Sequence, residues 1–360
     1  MNLSEFDYNL PKELIAQQPA EPRDSSRLLV LKKDSGALLH KNFFDLPNIL
    51  RPGDVLVFND SKVFPARLFG GKRDTGGKME VSLLKETGRE KDESIWECLI
   101  GGRGASIGLV LDFEEGLTGR IIGKAGASTW LFAFDKGQGE FMETVEKIGE
   151  MPLPPYIKAR GNDRDRYQTV YAKETGSVAA PTAGLHFTNE LTNRLKQKGV
   201  QLEFVTLHVG LGTFAPVKTE NIKEHKMHAE WAEISKETVN SILKAKKEGR
   251  RVIAVGTTSV RALEAVIGDS NFGMRNAESG IKSKSQDSKS AFCDFINIFI
   301  YPGYEFKIVD GMITNFHLPK STLLMLISAL AGKDNVDRAY AEAIKKKYRF
   351  YSYGDAMLIL

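Results

Sequence analysis

Cysteine is nearly absent from this 360-residue chain: only Cys98 and Cys293 occur, far apart in sequence. That excludes a disulfide framework, a four-cysteine zinc site and a cysteine-held iron–sulfur cluster. Long hydrophobic runs are missing too. The longest apolar stretch, Leu323 to Ala331, falls well short of the ~20 residues of a membrane span. The opening Met-Asn-Leu-Ser-Glu-Phe-Asp has neither the basic nor the apolar region of a secretory signal, so a cytoplasmic protein with no membrane partner is expected. Charge of one sign does not dominate. Fifty Lys and Arg against 46 Asp and Glu leave a formal +4, too mild to establish a nucleic-acid partner alone. There is no phosphate-loop motif, no Gly-x-Gly-x-x-Gly between a strand and a helix, no His-Glu-x-x-His and no nucleophile elbow. His225-x-x-His228-x-Glu230 has two imidazoles at metal-like spacing but no clear third ligand, so no metal is expected.

What the chain does have is length and a change of pattern. With 42% hydrophobic residues over 360 positions, it can bury a real core and is long enough for two domains of roughly 150 residues. From Ala66 to Tyr156, sixteen of the 33 glycines separate short alternating runs: Met79–Leu83, Ile95–Leu99, Leu109–Leu111, Arg120–Ile122 and Trp130–Phe134. Short strands with turn signals predict a small antiparallel β-barrel over 66–156. Its twelve basic and fifteen acidic side chains give −3, so the remainder carries +7. An anionic partner is therefore expected on the remainder, with the barrel a minor party.

Outside that insertion, residues 1–65 and 157–360 alternate helix and strand, which predicts an α/β main domain, a layered sheet with flanking helices. Thr188 and Ser235 are positioned to cap helices, and Thr258–Ile267 reads as helical. Ile296–Tyr301 and Lys307–Ile313 read as strands. Pro319 suits the first turn of a helix that ends at Gly332, and Asn335 begins the last helix. The Ser-, Lys- and Asn-rich stretch 268–293 reads as a flexible polar loop.

The chemistry concentrates in clusters of small, hydroxyl and imidazole residues at predicted element ends: Ala180–Phe187, Leu207–Phe214, Val255–Arg261, Thr314–Thr322, Asn59–Lys62 and Arg349–Asp355. Ligands in open α/β sheets bind at strand carboxyl ends, where helix N-termini offer free N–H groups. A hydroxyl there often only caps a helix, but five or six such clusters exceed what capping requires. One pocket is expected, lined by Thr182, His186, His208, Thr258, Arg261, Asn315 and His317. An imidazole titrates near neutrality, so His186, His208 and His317 are candidate acids or bases, with Asp60 and Asp355 behind them. Lys158, Arg160, Arg164, Arg166 and Tyr167 combine cations with an aromatic ring, which suits phosphate contact and base stacking.

These clusters lie in long blocks that give the chain a family resemblance. Phe6-Asp-Tyr-Asn-Leu-Pro, Gly53-Asp-Val-Leu-Val-Phe-Asn-Asp-Ser-Lys-Val-Phe-Pro-Ala-Arg, Gly149-Glu-Met-Pro-Leu-Pro-Pro-Tyr, Gly176-Ser-Val-Ala-Ala-Pro-Thr-Ala-Gly-Leu-His-Phe, Val255–Glu264, Asp310–Met325 and Tyr348–Met357 closely resemble the S-adenosylmethionine:tRNA ribosyltransferase-isomerases of queuosine biosynthesis. The likeness is weakest inside the barrel and in 268–293. It implies transfer and isomerisation of the ribosyl part of S-adenosylmethionine onto 7-aminomethyl-7-deazaguanine at the tRNA wobble position. The products would be epoxyqueuosine-tRNA, adenine and methionine. No tightly bound cofactor is implied; S-adenosylmethionine is consumed. The partner is the tRNA anticodon region, and a monomer is expected. Within the blocks, Thr182, Gly184, Gly210, Gly212, Thr257, Thr258, Ser259, Arg261, Tyr304, Asn315, Ser321 and Thr322 are the candidates to hold substrate. Two other readings stay open: a non-catalytic tRNA-binding protein, and an S-adenosylmethionine-dependent RNA methyltransferase, against which the missing glycine-rich turn argues.

Overall fold

A computed structural model describes residues 1–90, 92–158, 164–210, 217, 219–268 and 290–360. Its larger part is a nine-stranded mixed sheet. Four neighbouring strands run parallel at its centre: β12 (Gln201–Leu207), β3 (Val55–Asn59), β14 (Val252–Val255) and β16 (Gly311–Asn315). On one side β17 (Ala356–Ile359), β1 (Arg27–Leu31) and β2 (Leu38–Asn42) extend it; on the other, β13 (Glu230–Ser235) and β15 (Ser290–Ile296) do. Runs such as Val55-Leu-Val-Phe and Val252-Ile-Ala-Val are apolar at every position because both sheet faces are covered. Leu29, Val57 and Ala254 pack on one face against helices α4 (Lys236–Lys247), α5 (Thr257–Val266), α6 (Thr322–Ala331) and α7 (Lys333–Lys345). Leu28, Leu56 and Ile253 pack on the other, against the short α1 (Leu46–Ile49) and α3 (Asn189–Gln197). A small two-stranded sheet, β4 (Ser61–Val63) with β11 (Glu174–Ser177), stands beside β3.

The smaller part is a closed six-stranded antiparallel barrel: β5 (Arg67–Lys72), β6 (Lys78–Glu90), β7 (Glu93–Gly101), β8 (Val110–Asp112), β9 (Thr118–Lys124) and β10 (Trp130–Phe134). Alternate residues point inward, so Leu68, Val81, Leu83, Cys98, Ile121 and Phe132 fill it. Helix α2 (Gln138–Ile148) lays Phe141 against Phe134, ring centres 4.5 Å apart. Entry and exit are tied together, because the Arg67 and Glu150 amides each donate to the other's carbonyl (3.1 and 2.8 Å).

The caps sit as the sequence predicts: the Thr188 hydroxyl accepts from the Leu191 amide and the Ser235 hydroxyl from the Thr238 amide, both at 3.1 Å. Several boundaries are corrected. The strand expected at Ile296–Tyr301 lies upstream, at Ser290–Ile296, so residues 290–293 of the expected polar loop are paired with β13. As an edge strand, β15 needs no continuous apolar run. The rest of that loop, 269–289, lies outside the described residues. The strand expected from Lys307 starts only at Gly311, because the amides of Lys307, Ile308 and Val309 donate to the Glu264 carboxylate instead (3.0, 3.0 and 2.8 Å). Pro319 does not open α6. Lys320 takes a left-handed φ of 56° and the Ser321 hydroxyl caps the Leu324 amide, so the helix cannot reach back that far. The last helix starts at Lys333, just after Gly332, rather than at Asn335.

Candidate active site

The carboxyl ends of β12, β3, β14 and β16 meet on one side of the sheet, where α/β folds bind ligands. A pocket of about 320 Å³ opens there, within the range of small-molecule sites. Gly256-Thr257-Thr258 follows β14 into its wall, and residues from Thr314 to Ser321 follow β16. Gly256 turns the chain into α5 at φ 87°, a backbone that L side chains rarely adopt. Asn59 ties the strand ends together. Its side-chain amide donates to the Leu207 carbonyl (2.9 Å) and to the Thr258 hydroxyl (3.3 Å), and its oxygen accepts from the Leu207 amide (3.0 Å). Asn315 does the same across the pocket, donating to the Tyr351 carbonyl (3.0 Å) with the Thr182 hydroxyl 3.5 Å from its oxygen.

Among the described residues, His317 is the one histidine on this wall. Its Nε2 lies 2.6 Å from the Thr314 hydroxyl, which also lies 3.3 Å from the Asn315 carbonyl. The hydroxyl can give its proton to Nε2 or take one from it, so either ring nitrogen can carry the imidazole proton. Burial pushes its pKa down to about 3, so it is neutral at physiological pH. Among the described residues no Asp or Glu lines the pocket; its titratable groups there are His317, Lys320, Tyr156 and Tyr351. The Lys320 ammonium is paired with Asp7 at 2.7 Å, and burial raises both phenols, keeping them protonated.

Of the residues expected to line the pocket, Thr182, Thr257, Thr258, Asn315, His317 and Ser321 do. The others are corrected. His186 lies behind the wall, stacked on Phe43 and hydrogen-bonded to Ser26 (2.8 Å) and Asn315 (3.2 Å), with burial lowering its pKa to about 4. His208 stacks flat on Trp231, ring centres 4.8 Å apart, and burial again lowers its pKa to about 4. Thus none of the three imidazoles titrates near neutrality, contrary to expectation. Arg261 is locked in a buried ion pair with Glu230, which also accepts from the Gly210 amide (3.2 Å). Ser259 bonds back to the Val255 carbonyl (2.8 Å), Thr322 begins α6 between the lining residues Ser321 and Leu323 without lining the pocket itself, and the Tyr304 hydroxyl donates to Glu264 (3.1 Å). Gly184 sits beneath Tyr171, where a Cβ would lie 1.9 Å from the phenol oxygen. Asp355 is held by Arg27 (3.0 and 3.1 Å) and by the Arg349 amide (2.8 Å). Asp60 accepts from Thr206 (2.7 Å), with burial raising its pKa. Gly212 and Arg160 lie outside the described residues.

The sequence reading missed Tyr156, Tyr351 and Ser352 on the pocket wall. The signal was present in the Arg349–Asp355 cluster, but the carboxylate drew attention from its neighbours. Tyr351 adopts φ 71°, a costly conformation for a bulky residue that clusters at functional sites.

A second, larger cavity of about 1340 Å³ runs between barrel and sheet. It is lined by Lys158, Arg164 and Arg166 and by Arg67, Phe69, Glu80 and Ser82 of the barrel. Tyr167 is fully buried, so it cannot stack on a base as expected.

Fold and cavities together define an α/β protein with a small-ligand pocket at its strand ends and a wide groove against an antiparallel barrel. Similarity to known proteins narrows that class. The family model described as queuosine biosynthesis protein matches residues 3–359, and the chain belongs to that family. A crystal structure of an S-adenosylmethionine tRNA ribosyltransferase from Thermotoga maritima is 37% identical. It covers 99% of this chain and 100% of that one, with a TM-score of 0.53.

Proposed function

We propose that the protein transfers and isomerises the ribosyl part of S-adenosylmethionine onto 7-aminomethyl-7-deazaguanine in a tRNA anticodon, releasing adenine and methionine. The observation that carries this reading is the pocket at the strand ends, in a chain similar over almost its whole length to an S-adenosylmethionine tRNA ribosyltransferase. The chemistry asks for three things. The sulfonium acidifies the adjacent 5′ carbon, so a proton acceptor must face it; departing adenine needs a proton; and the attacking amine must be neutral. His317 is our candidate acceptor, because its imidazole lines the pocket and is neutral. Burial makes it a weak base, so positioning and exclusion of water must supply much of the rate. The protonated Tyr351 and Tyr156 phenols are the candidate donors toward adenine. Thr257 and Thr258, at the N-terminus of α5, suit the methionine carboxylate.

Incubating the protein with S-adenosylmethionine and an anticodon stem-loop bearing the modified base tests the proposal. Adenine and methionine should appear in equal amounts. Release of S-adenosylhomocysteine instead would make the protein a methyltransferase, and RNA binding without turnover would make it a silent binder.

A further inference from the structure

We infer that the groove between barrel and sheet holds the RNA strand and that Phe69, on the barrel's outer face, is the shelf on which one base stacks; this rests on the tRNA substrate proposed above. The first argument is position. Pocket and groove share a partition made of two short segments. In one, Tyr156 faces the pocket while Pro155 and Ile157 face the groove; in the other, Ser352 faces the pocket and Tyr353 the groove. The Tyr156 and Ser352 hydroxyl oxygens are 2.7 Å apart, so the segments are clasped. The two cavities therefore adjoin across the thickness of one residue; because group transfer needs the reacting atoms in contact, the strand held in the groove would pass its modified base beyond the clasp into the pocket.

The second argument is the shelf itself. Along β5, Leu68 points into the barrel and is wholly buried, while Arg67 and Phe69 point out into the groove. Phe69 is 45% exposed and belongs to none of the apolar clusters, so barrel packing does not explain it. Glu80 grips Arg67 through two bonds of 2.8 and 3.0 Å, and the guanidinium lies over the Phe69 ring, 5.3 Å from its centre. A phenyl ring and a fixed guanidinium plane are the two surfaces on which unpaired bases stack.

The third argument is charge. The groove carries Arg67, Lys158, Arg164 and Arg166 against Glu21, Glu80 and Glu150. Each carboxylate lies against a guanidinium: Glu80 and Glu150 against Arg67, and Glu21 against Arg166. Among the described lining residues the four cations exceed the three acids by one, and none of those three acids is paired with Lys158 or Arg164. Cations and an exposed ring that line the same groove fit a polynucleotide, which offers phosphates to the one and a base to the other.

The test measures binding of the modified anticodon stem-loop to the full-length protein without S-adenosylmethionine. Base–aromatic stacking predicts that F69A weakens binding roughly 5- to 100-fold. F69L, which keeps apolar bulk but loses the ring, should weaken it similarly, whereas F69Y and F69W should bind like the unaltered protein. Melting temperature and the KM for S-adenosylmethionine should stay unchanged in all four. I107A, on an exposed barrel residue outside the groove, should have no effect. Binding by F69A within about twofold of the unaltered protein, or equal binding by F69L and F69Y, overturns the inference while leaving the proposed reaction intact. If the unaltered protein fails to bind the RNA at all, both the inference and the proposed substrate fall.

Discussion

The pocket and the groove lie one residue apart yet are built by opposite means. The pocket is made of short side chains at strand ends, whose polar atoms are already bonded to backbone: Asn59 to both the amide and carbonyl of Leu207, Asn315 to the Tyr351 carbonyl. Such groups are fixed before a ligand arrives, as a site for reaction chemistry needs. The groove is made of long charged side chains, prolines and one exposed ring. Arg164 spends two guanidinium nitrogens on the Glu146 and Gly149 carbonyls (2.6 Å each), at the end of α2. It thereby braces the barrel against the groove's cationic segment, a role for which the charge count gave no hint. Small rigid groups serve a reacting centre, while long paired ones shape a channel.

The sharpest way to break that division is to alter the pocket and watch the groove. H317A should lower kcat by about 10²–10⁴-fold, the contribution of a well-placed proton-transfer group, with RNA affinity unchanged. Because His317 is held near pKa 3, the unaltered enzyme should show no loss of kcat/KM from this group between pH 8 and 5. Near-normal kcat in a folded H317A would remove the histidine from the mechanism. The unassigned proton acceptor would then have to be sought outside the pocket's described wall.

Acid should separate the two cavities next. His186 and His317 are held at about 4 and about 3, against 6.5 when unfolded. The unfolded chain therefore binds more protons on acidification. Their contribution to stability is complete above about pH 6.5 and is lost as pH falls toward the folded values, at up to about 1.4 kcal/mol per pH unit for each. Among the described residues no histidine lines the groove. His208, held at about 4, adds the same loss, so denaturant midpoints measured from pH 7 to pH 5 should fall steeply, and H186N should flatten the slope by about one third of the three histidines' share. An unchanged slope would mean that none of the three imidazoles is buried as a neutral group.

The same contrast explains what was legible in the sequence. Pocket residues lie in contiguous clusters, and those of Thr258, Asn315 and His317 stand at the end of a strand whose apolar run announces them, so these residues, and Thr182 in its own hydroxyl- and imidazole-bearing cluster, could be chosen from the sequence. The choice failed for His186, His208 and Arg261, because residues a turn or a strand apart share a cluster yet face opposite sides of a wall. Burial also moved their chemistry, since a reading that treats imidazoles as solvated cannot see desolvation. The groove was nearly illegible. Its described walls come from residues 17–21, 67–82, 150–158 and 164–166 and from Tyr353, brought together only by the way the barrel is braced. Phe69 sits in an alternating strand where an outward aromatic looks like any other surface residue. The acidic barrel was set aside on net charge alone, although charge says nothing about where one ring stands.

The smallest effect tests whether the groove's cations meet phosphate at all. Lys158 is exposed on the groove's rim and lies next to a segment whose Lys158 amide is held by the Gln17 side chain at 2.9 Å. That bond fixes the backbone and leaves the ammonium to the solvent side. If it neutralises one phosphate, K158A should weaken RNA binding modestly and lower the slope of log affinity against log salt by about one unit, without changing base preference. F69A should do the converse, weakening binding while leaving the salt slope intact, because stacking releases no counterions. A double variant whose losses simply add would place the cation and the ring on separate parts of one strand. If K158A and F69A both lowered the salt slope, the ring would not be a stacking shelf, and the division of labour within the groove would have to be redrawn around charge.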